Sequence, residues 1–155
     1  LQLVPDPESQ TYKVLWEAAI SLPMKHYDLK KQPDTLTIIG GGYIACELAH
    51  FFGALGTKIN IIQHKDVLIP NEDEEVSEKF TQVFSKKYNV YVGHETEQVS
   101  KNNDSNQFHV VAKHNSGKSL ELLSGHLLIA AGRIPNSDTL DLEKTGVKIS
   151  ERGLR

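Results

Sequence analysis

An α/β fold built on a parallel sheet is what three features of this sequence predict. The first is Thr35-Leu-Thr-Ile-Ile-Gly-Gly-Gly-Tyr-Ile-Ala-Cys-Glu-Leu-Ala49, a short β-branched apolar run followed by three glycines and the start of a helical pattern. The second is the repetition of strand and helix that follows, with apolar strands at Lys58 to Gln63 and Val90 to Val92 separated by a helical stretch. The third is a change to period two between Glu95 and Leu123, after which Leu127 to Ala131 reads as one more buried strand. Together they predict a Rossmann-like parallel sheet with helices on both faces and an inserted three-stranded antiparallel meander.

A single domain over residues 1–155 is expected, in three parts: a lead-in (1–34), a core (35–136) and a tail (137–155). In the lead-in, Thr11 to Leu22 suits a short helix carrying Val14, Leu15, Ala18 and Ala19, stopped by Pro23, with Trp16 available for packing. In the core, Leu36 to Ile39 is the first strand. The helix after it places Ile44, Leu48, Phe51, Phe52 and Leu55 on one broad face and ends between Gly53 and Gly56, the latter suited to the C-terminal cap. The acidic run Asn71-Glu-Asp-Glu-Glu75 reads as a helix start, with Asn71 as N-cap and Glu74 at the third position. That helix continues to about Lys87 with Val76, Phe80, Val83 and Phe84 inward. The meander strands are Glu97 to Ser100, Phe108 to Lys113 and Lys118 to Leu123, separated by turn-forming Asn, Asp, Ser and Gly.

Composition narrows the function. A formal charge of −3, from 17 basic and 20 acidic residues, with no basic stripe, argues against nucleic acid. No apolar run reaches membrane-spanning length and no secretory pattern opens the sequence. The sole cysteine, Cys46, excludes an internal disulfide and fits a reducing compartment. A cytoplasmic protein without membrane contact is expected.

The chemistry concentrates in the glycines. Strand, glycine turn and helix give a G-x-G-x-x-G/A fingerprint its meaning. Gly40 permits the tight turn, Gly42 lets a pyrophosphate approach the backbone, and Ala45 is the small residue against the strand. The helix start adds free N–H groups and partial positive charge. The bland alternative is a strand-to-helix turn without ligand. At the end of the second strand, where an acid would bond the ribose of NAD, stands Gln63, followed by His64 and Lys65, which tilts the coenzyme toward NADP(H). Cys46 and His50 share a helix face, yet no further ligand cluster accompanies them, so a buried thiol and a surface imidazole are the better reading and no metal is expected.

The residues Ile39-Gly-Gly-Gly-Tyr-Ile-Ala-Cys-Glu47, the meander, and Ala130-Ala-Gly-Arg-Ile-Pro-Asn136 occur in the order found in a known family. The chain resembles the NAD(P)H-binding domain of the FAD-dependent pyridine nucleotide-disulfide oxidoreductases, with dihydrolipoamide dehydrogenase, glutathione, mycothione and mercuric reductases among its members. The resemblance implies that Gly40, Gly41 and Gly42 line the pyrophosphate. It implies that Tyr43 is an aromatic lid over the flavin, that Ile44 and Glu47 meet the nicotinamide end, and that Ala131 and Gly132 touch the cofactor. Gln63, His64 and Lys65 match the adenosine-ribose end.

By the same resemblance the intact enzyme would hold FAD, be a homodimer, and exchange hydride between NAD(P)(H) and FAD. The most fitting assignment is dihydrolipoamide dehydrogenase-like, with an NADPH-using glutathione, mycothione or mercuric reductase type as alternative. The family's paired redox cysteines, FAD fingerprint and interface domain with its His-Glu pair are not in this sequence. The chain alone is therefore expected to be inactive and to have the FAD and interface domains as partners. Two rivals are a stand-alone nucleotide-binding redox sensor and a flavin-binding fold using the same glycines.

Overall fold

The computed structural model describes residues 31–102, 105–132, 149–150 and 153–154. The expected helix at Thr11 to Leu22, with Trp16, lies outside the described residues, as do Arg133 to Asn136. The core begins with β1 (Thr35–Ile39), α1 (Tyr43–Ala54), β2 (Lys58–Ile62), α2 (Glu74–Phe84) and β3 (Asn89–Tyr91). The meander follows as β4 (His94–Asn102), β5 (Gln107–His114) and β6 (Ser119–Ser124), then β7 (His126–Ile129) and the short pair β8 (Ile149–Ser150) and β9 (Gly153–Leu154).

The parallel sheet has the order β3-β2-β1-β7, and the meander is a second sheet in the order β4-β5-β6. The α/β class, the parallel sheet and the inserted meander are thus as the sequence predicts. Among the described residues, both helices pack on one face of the sheet and the meander covers the other. The reason is handedness. From β1 to β2 to β3 the chain steps one way, so right-handed crossovers put both helices on one side. It then returns across β2 and β1 to β7, and this crossover, made by the meander, must pass over the opposite face.

Alternation along the strands feeds the two layers. Leu36, Ile38, Ile59, Ile61 and Leu128 pack with Ala45, Ala49, Phe52 and Phe84 on the helical side. Ile62, with Ile39 and Leu127, packs with Val99, Val110 and Ala112 of the meander. Burying a side chain such as Ile38 or Ile61 contributes about 1.5–3 kcal/mol. Facing the meander, a polar row crosses the sheet: Asn89 Nδ2 donates to Asn60 Oδ1 (2.9 Å) and Asn60 Nδ2 to Thr37 Oγ1 (3.3 Å).

Each helix keeps only part of its expected face: Leu48 and Phe52 of α1 and Phe80 and Phe84 of α2 do pack on the core. In α1 the buried residues are Ala45, Cys46, Ala49 and Phe52, while Ile44, Phe51 and Leu55 are exposed. Near the glycine turn the residues beneath the helix are small, Ala45, Cys46 and Ala49, and the larger Phe52 is buried only toward its far end. In α2 the buried residues are Ser77 and Phe84, and Val76 and Val83 are exposed. Its N-cap is Asp73 rather than Asn71, because Glu72 N–H donates to Ile69 O (3.1 Å) and closes a turn before the helix begins. It ends at Phe84, short of Lys87, and Phe84 stacks on Phe80 (4.9 Å) and meets the Tyr88 ring at a tilt (4.8 Å). Gly56 follows the C-cap residue Leu55, as expected.

Candidate functional site

β1 is the strand from which the chain goes to β2 on one side and against which β7 returns on the other. The crevice at the carboxyl ends of β1 and β7 is therefore the switch point where open α/β sheets bind ligands. All three glycines sit there, but the structure gives each a different task.

Gly40 is closed in. Its φ is +111°, and a Cβ would lie 2.4 Å from Ala130 O and 3.0 Å from Ala131 N. Its N–H donates to Ile62 O (2.8 Å), and Ala130 N–H donates to Ile39 O (2.8 Å). The glycine turn and the Ala130–Gly132 stretch are thus joined, and Ala131 and Gly132 lie exposed beside the turn. Gly41 is also packed, with Leu68 and Gln63 filling the space of its missing Cβ, and its carbonyl accepts Ile69 N–H (2.7 Å). Gly42 is the open position, with no heavy atom within 4 Å of where a Cβ would project.

Gly42 is also the N-cap of α1, with no side-chain cap and no acid in the first turn. The first N–H groups of a helix have no partner inside it and carry about half a positive charge. An open glycine beside such an end fits a phosphate group. Tyr43, Ile44 and Glu47 continue from this point on the exposed side of α1.

At the end of β2 the structure gives Gln63 a role within its own loop. β2 ends at Ile62, and Gln63 is 3% exposed, tucked under Gly41. Its Nε2 donates to Val67 O (3.4 Å), so the amide supports its own loop. His64 and Lys65 are exposed. The loop is fastened to the next layer, where Gly93 N–H donates to Lys65 O (2.9 Å) and His94 N–H to Gln63 O (3.0 Å).

Cys46 and His50 do not form a common site. Cys46 is 5% exposed, and burial, then the Glu47 charge, pushes its thiol up to about 12. His50 is exposed, with Nδ1 at 3.4 Å from the Tyr88 hydroxyl. Among the described residues, no group of three His, Cys, Asp or Glu side chains is placed to hold a metal ion. None of the described helices is long and apolar enough to cross a membrane.

One contact at the site escaped sequence reasoning: the Tyr43 hydroxyl donates to the Glu72 carboxylate. Glu72 reads from sequence as one more acid of a helix start. Its placement just after Ile69-Pro70, before the helix, is the signal that could have set it apart.

Comparison with known proteins agrees with this geometry. Residues 21–154 match the family described as pyridine nucleotide-disulphide oxidoreductase. A dihydrolipoyl dehydrogenase of Buchnera aphidicola subsp. Schizaphis graminum is 32% identical over 125 residues, 81% of this chain and 26% of that protein. A mercuric reductase of Bacillus cereus is 36% identical over 127 residues, 81% of this chain and 20% of that protein. Among solved structures, the Cu(II) complex of the HOCl-induced flavoprotein disulfide reductase RclA from Escherichia coli superposes with a TM-score of 0.68 at 31% identity. The superposition covers 81% of this chain and 27% of that one. The chain thus spans 20–27% of the length of these relatives.

Proposed function

The chain belongs to the pyridine nucleotide-disulphide oxidoreductase family, and from that premise we propose that its 35–136 core binds NAD(P)(H) for hydride exchange with FAD, in a dihydrolipoamide dehydrogenase-like enzyme. The observation that carries the reading is the open backbone at Gly42 beside the uncompensated start of α1. Gly42 and the first-turn N–H groups of α1 hold the pyrophosphate, and Gly40 and Gly41 shape the turn that presents them. Tyr43, Ile44 and Glu47 meet the nicotinamide end, Ala131 and Gly132 border it, and Gln63, His64 and Lys65 lie toward the adenosine ribose. When bound, the nicotinamide coenzyme supplies the hydride and FAD accepts it. With one cysteine this chain cannot form a redox disulfide by itself. The intact enzyme brings FAD and interface domains, acts as a homodimer in the cytoplasm, and this chain alone is inactive.

NADPH use, as in a glutathione, mycothione or mercuric reductase type of enzyme, is a second reading. It is supported by the absence of a carboxylate at Gln63 and by the exposed Lys65 cation beside the exposed His64. Titration with NADH and NADPH, followed by nicotinamide fluorescence, separates the two. Tighter NADPH binding that weakens with salt and with Lys65→Ala favours NADPH; tighter NADH binding favours the dihydrolipoamide dehydrogenase type. Gly42→Val should weaken either nucleotide by tenfold or more, about 1.4 kcal/mol, with little change in stability. A folded Gly42→Val chain with undiminished affinity would sink the pyrophosphate assignment.

A further inference from the structure

The loop that carries His64 and Lys65 meets the meander at Gly93, a buried residue in the short link between β3 and β4. Gly93 N–H donates to Lys65 O (2.9 Å), and Gly93 O accepts Asn115 N–H (2.9 Å) from the turn between β5 and β6. The φ of Gly93 is +64°, and three polar atoms stand round the place of its missing Cβ: Asp66 Oδ1 at 3.0 Å, His114 Nε2 at 3.2 Å and Asn115 Nδ2 at 3.4 Å. The Asp66 side chain is therefore directed toward the meander turn. Beside this corner His94 N–H donates to Gln63 O (3.0 Å), and the His94 ring meets the His114 ring at 4.8 Å. His114 itself is half-buried and held in its turn. Ser116 N–H donates to His114 Nδ1 (3.1 Å), so that nitrogen is an acceptor and the proton of the neutral ring sits on Nε2, at the corner. Closing the turn does not require this imidazole, because Gly117, with φ +89°, supplies its left-handed residue.

We propose that His114 is a positioning residue for coenzyme choice: from the meander turn, through the Gly93 corner, it sets how the 63–66 loop presents Lys65. The proposal rests on the nucleotide reading above. Lys65 is one backbone hydrogen bond from Gly93, and Gly93 is one from the 114–117 turn, so a displaced turn displaces the Lys65 backbone. The N–H groups of His114 and Asn115 also favour the Asp66 carboxylate at the corner. Kept there, the acid does not turn back on the neighbouring Lys65 ammonium, which stays available to an anion. The 2′-phosphate of NADPH calls on such a cation, whereas NADH has a neutral hydroxyl in its place. Disturbing the corner therefore alters discrimination between the two coenzymes rather than nucleotide binding as a whole.

The test uses wild type, His114→Ala, His114→Gln, Gly93→Ala, Lys65→Ala and the Lys65→Ala/His114→Ala double variant. Affinities for NADH and NADPH are measured for each, with urea unfolding to establish that the variant is folded. His114→Ala is expected to weaken NADPH roughly three- to tenfold, part of what a hydrogen bond to a charged group contributes, and NADH by less than about twofold. Gly93→Ala puts a methyl group between Asp66 and His114 and should show the same selective loss. His114→Gln can return an N–H group to the corner and should bind NADPH more tightly than His114→Ala does. In the Lys65→Ala background, His114→Ala should leave the ratio of the two affinities unchanged. The proposal is overturned if His114→Ala weakens both nucleotides alike or neither, if His114→Gln is no better than His114→Ala, or if the selective loss persists without Lys65. Wild type that binds NADH but not NADPH overturns the proposal alone. A folded wild-type chain that binds neither overturns the nucleotide reading and the proposal with it.

Discussion

α1 and α2 each begin at a residue without a side-chain cap, Gly42 and Asp73, and each carries, four positions on, a small buried side chain that reaches back to the preceding turn. In α2 this is Ser77, whose Oγ–H donates to Ile69 O at 2.9 Å. In α1 it is Cys46, whose Sγ lies 3.9 Å from Gly41 O. The surroundings differ: α2 has Glu74 and Glu75 in its first turn, whereas α1 has no acid there and three glycines before it. A helix start whose charge is answered by its own side chains serves the fold. One left unanswered beside open backbone is free to answer to a ligand.

The comparison can be broken most forcefully within the glycine turn. Gly40→Ala meets Ala130 O and an unfavourable φ together, so a loss of about 3 kcal/mol or more is expected in urea unfolding. Gly42→Ala meets open space and should cost about 1 kcal/mol or less by the same measurement. Equal costs would erase the distinction between a structural and a ligand-facing glycine.

Next in size is a pH effect that belongs to α1 alone. The Cys46 thiol is raised in the folded chain from 9.0 to about 12 by burial and the Glu47 charge. The unfolded thiol therefore ionises first. The stability due to this group is fully present below pH 9 and is lost as pH rises toward about 12. Unfolding midpoints measured across that window should fall more steeply for wild type than for Cys46→Ala. Parallel slopes would mean that the thiol is not buried beneath the turn.

Smaller effects sharpen the α2 side. Ser77→Ala removes a buried donor from Ile69 O and should destabilise by about 1–2 kcal/mol. Glu74→Gln or Glu75→Gln should each cost about 0.3–1 kcal/mol, less at high salt, as thermal unfolding at two ionic strengths would show. An acid placed at Ile44 should reverse the usual trade, adding about 0.3–1 kcal/mol of stability while weakening nucleotide binding.

Much of this was legible in the sequence. The three-glycine turn, the parallel strands and the period-two meander each have a local signature, and each stands where its signature lies. The buried face of α1 was less legible, because Ile44, Phe51 and Leu55 are hydrophobic enough to suggest a core face. The fingerprint itself held the answer: with Ala45 set against the strand, Ala49 and Phe52 must face inward too. Gln63 reads from sequence as a ribose-end residue, but its amide is committed to Val67 O by a loop that no spacing rule describes. Glu72 was hidden by its acidic neighbours, since its partner lies 29 residues away and only the folded turn joins them.

The row Asn89–Asn60–Thr37 bears on how the sheet is assembled. Strands β1 and β2 are rich in isoleucine, and sliding one past its neighbour by two residues would still set apolar side chains toward both layers. Thr37 pairs with Asn60, and Asn60 with Asn89, in a single rung. A slip of β2 against β1 would separate Asn60 from Thr37, and one of β2 against β3 would separate it from Asn89, each breaking a hydrogen bond of a buried amide worth about 0.5–1.5 kcal/mol. Three ordinary polar side chains thus favour the one alignment that makes both bonds. With the strands so aligned, the glycine turn reaches the switch point.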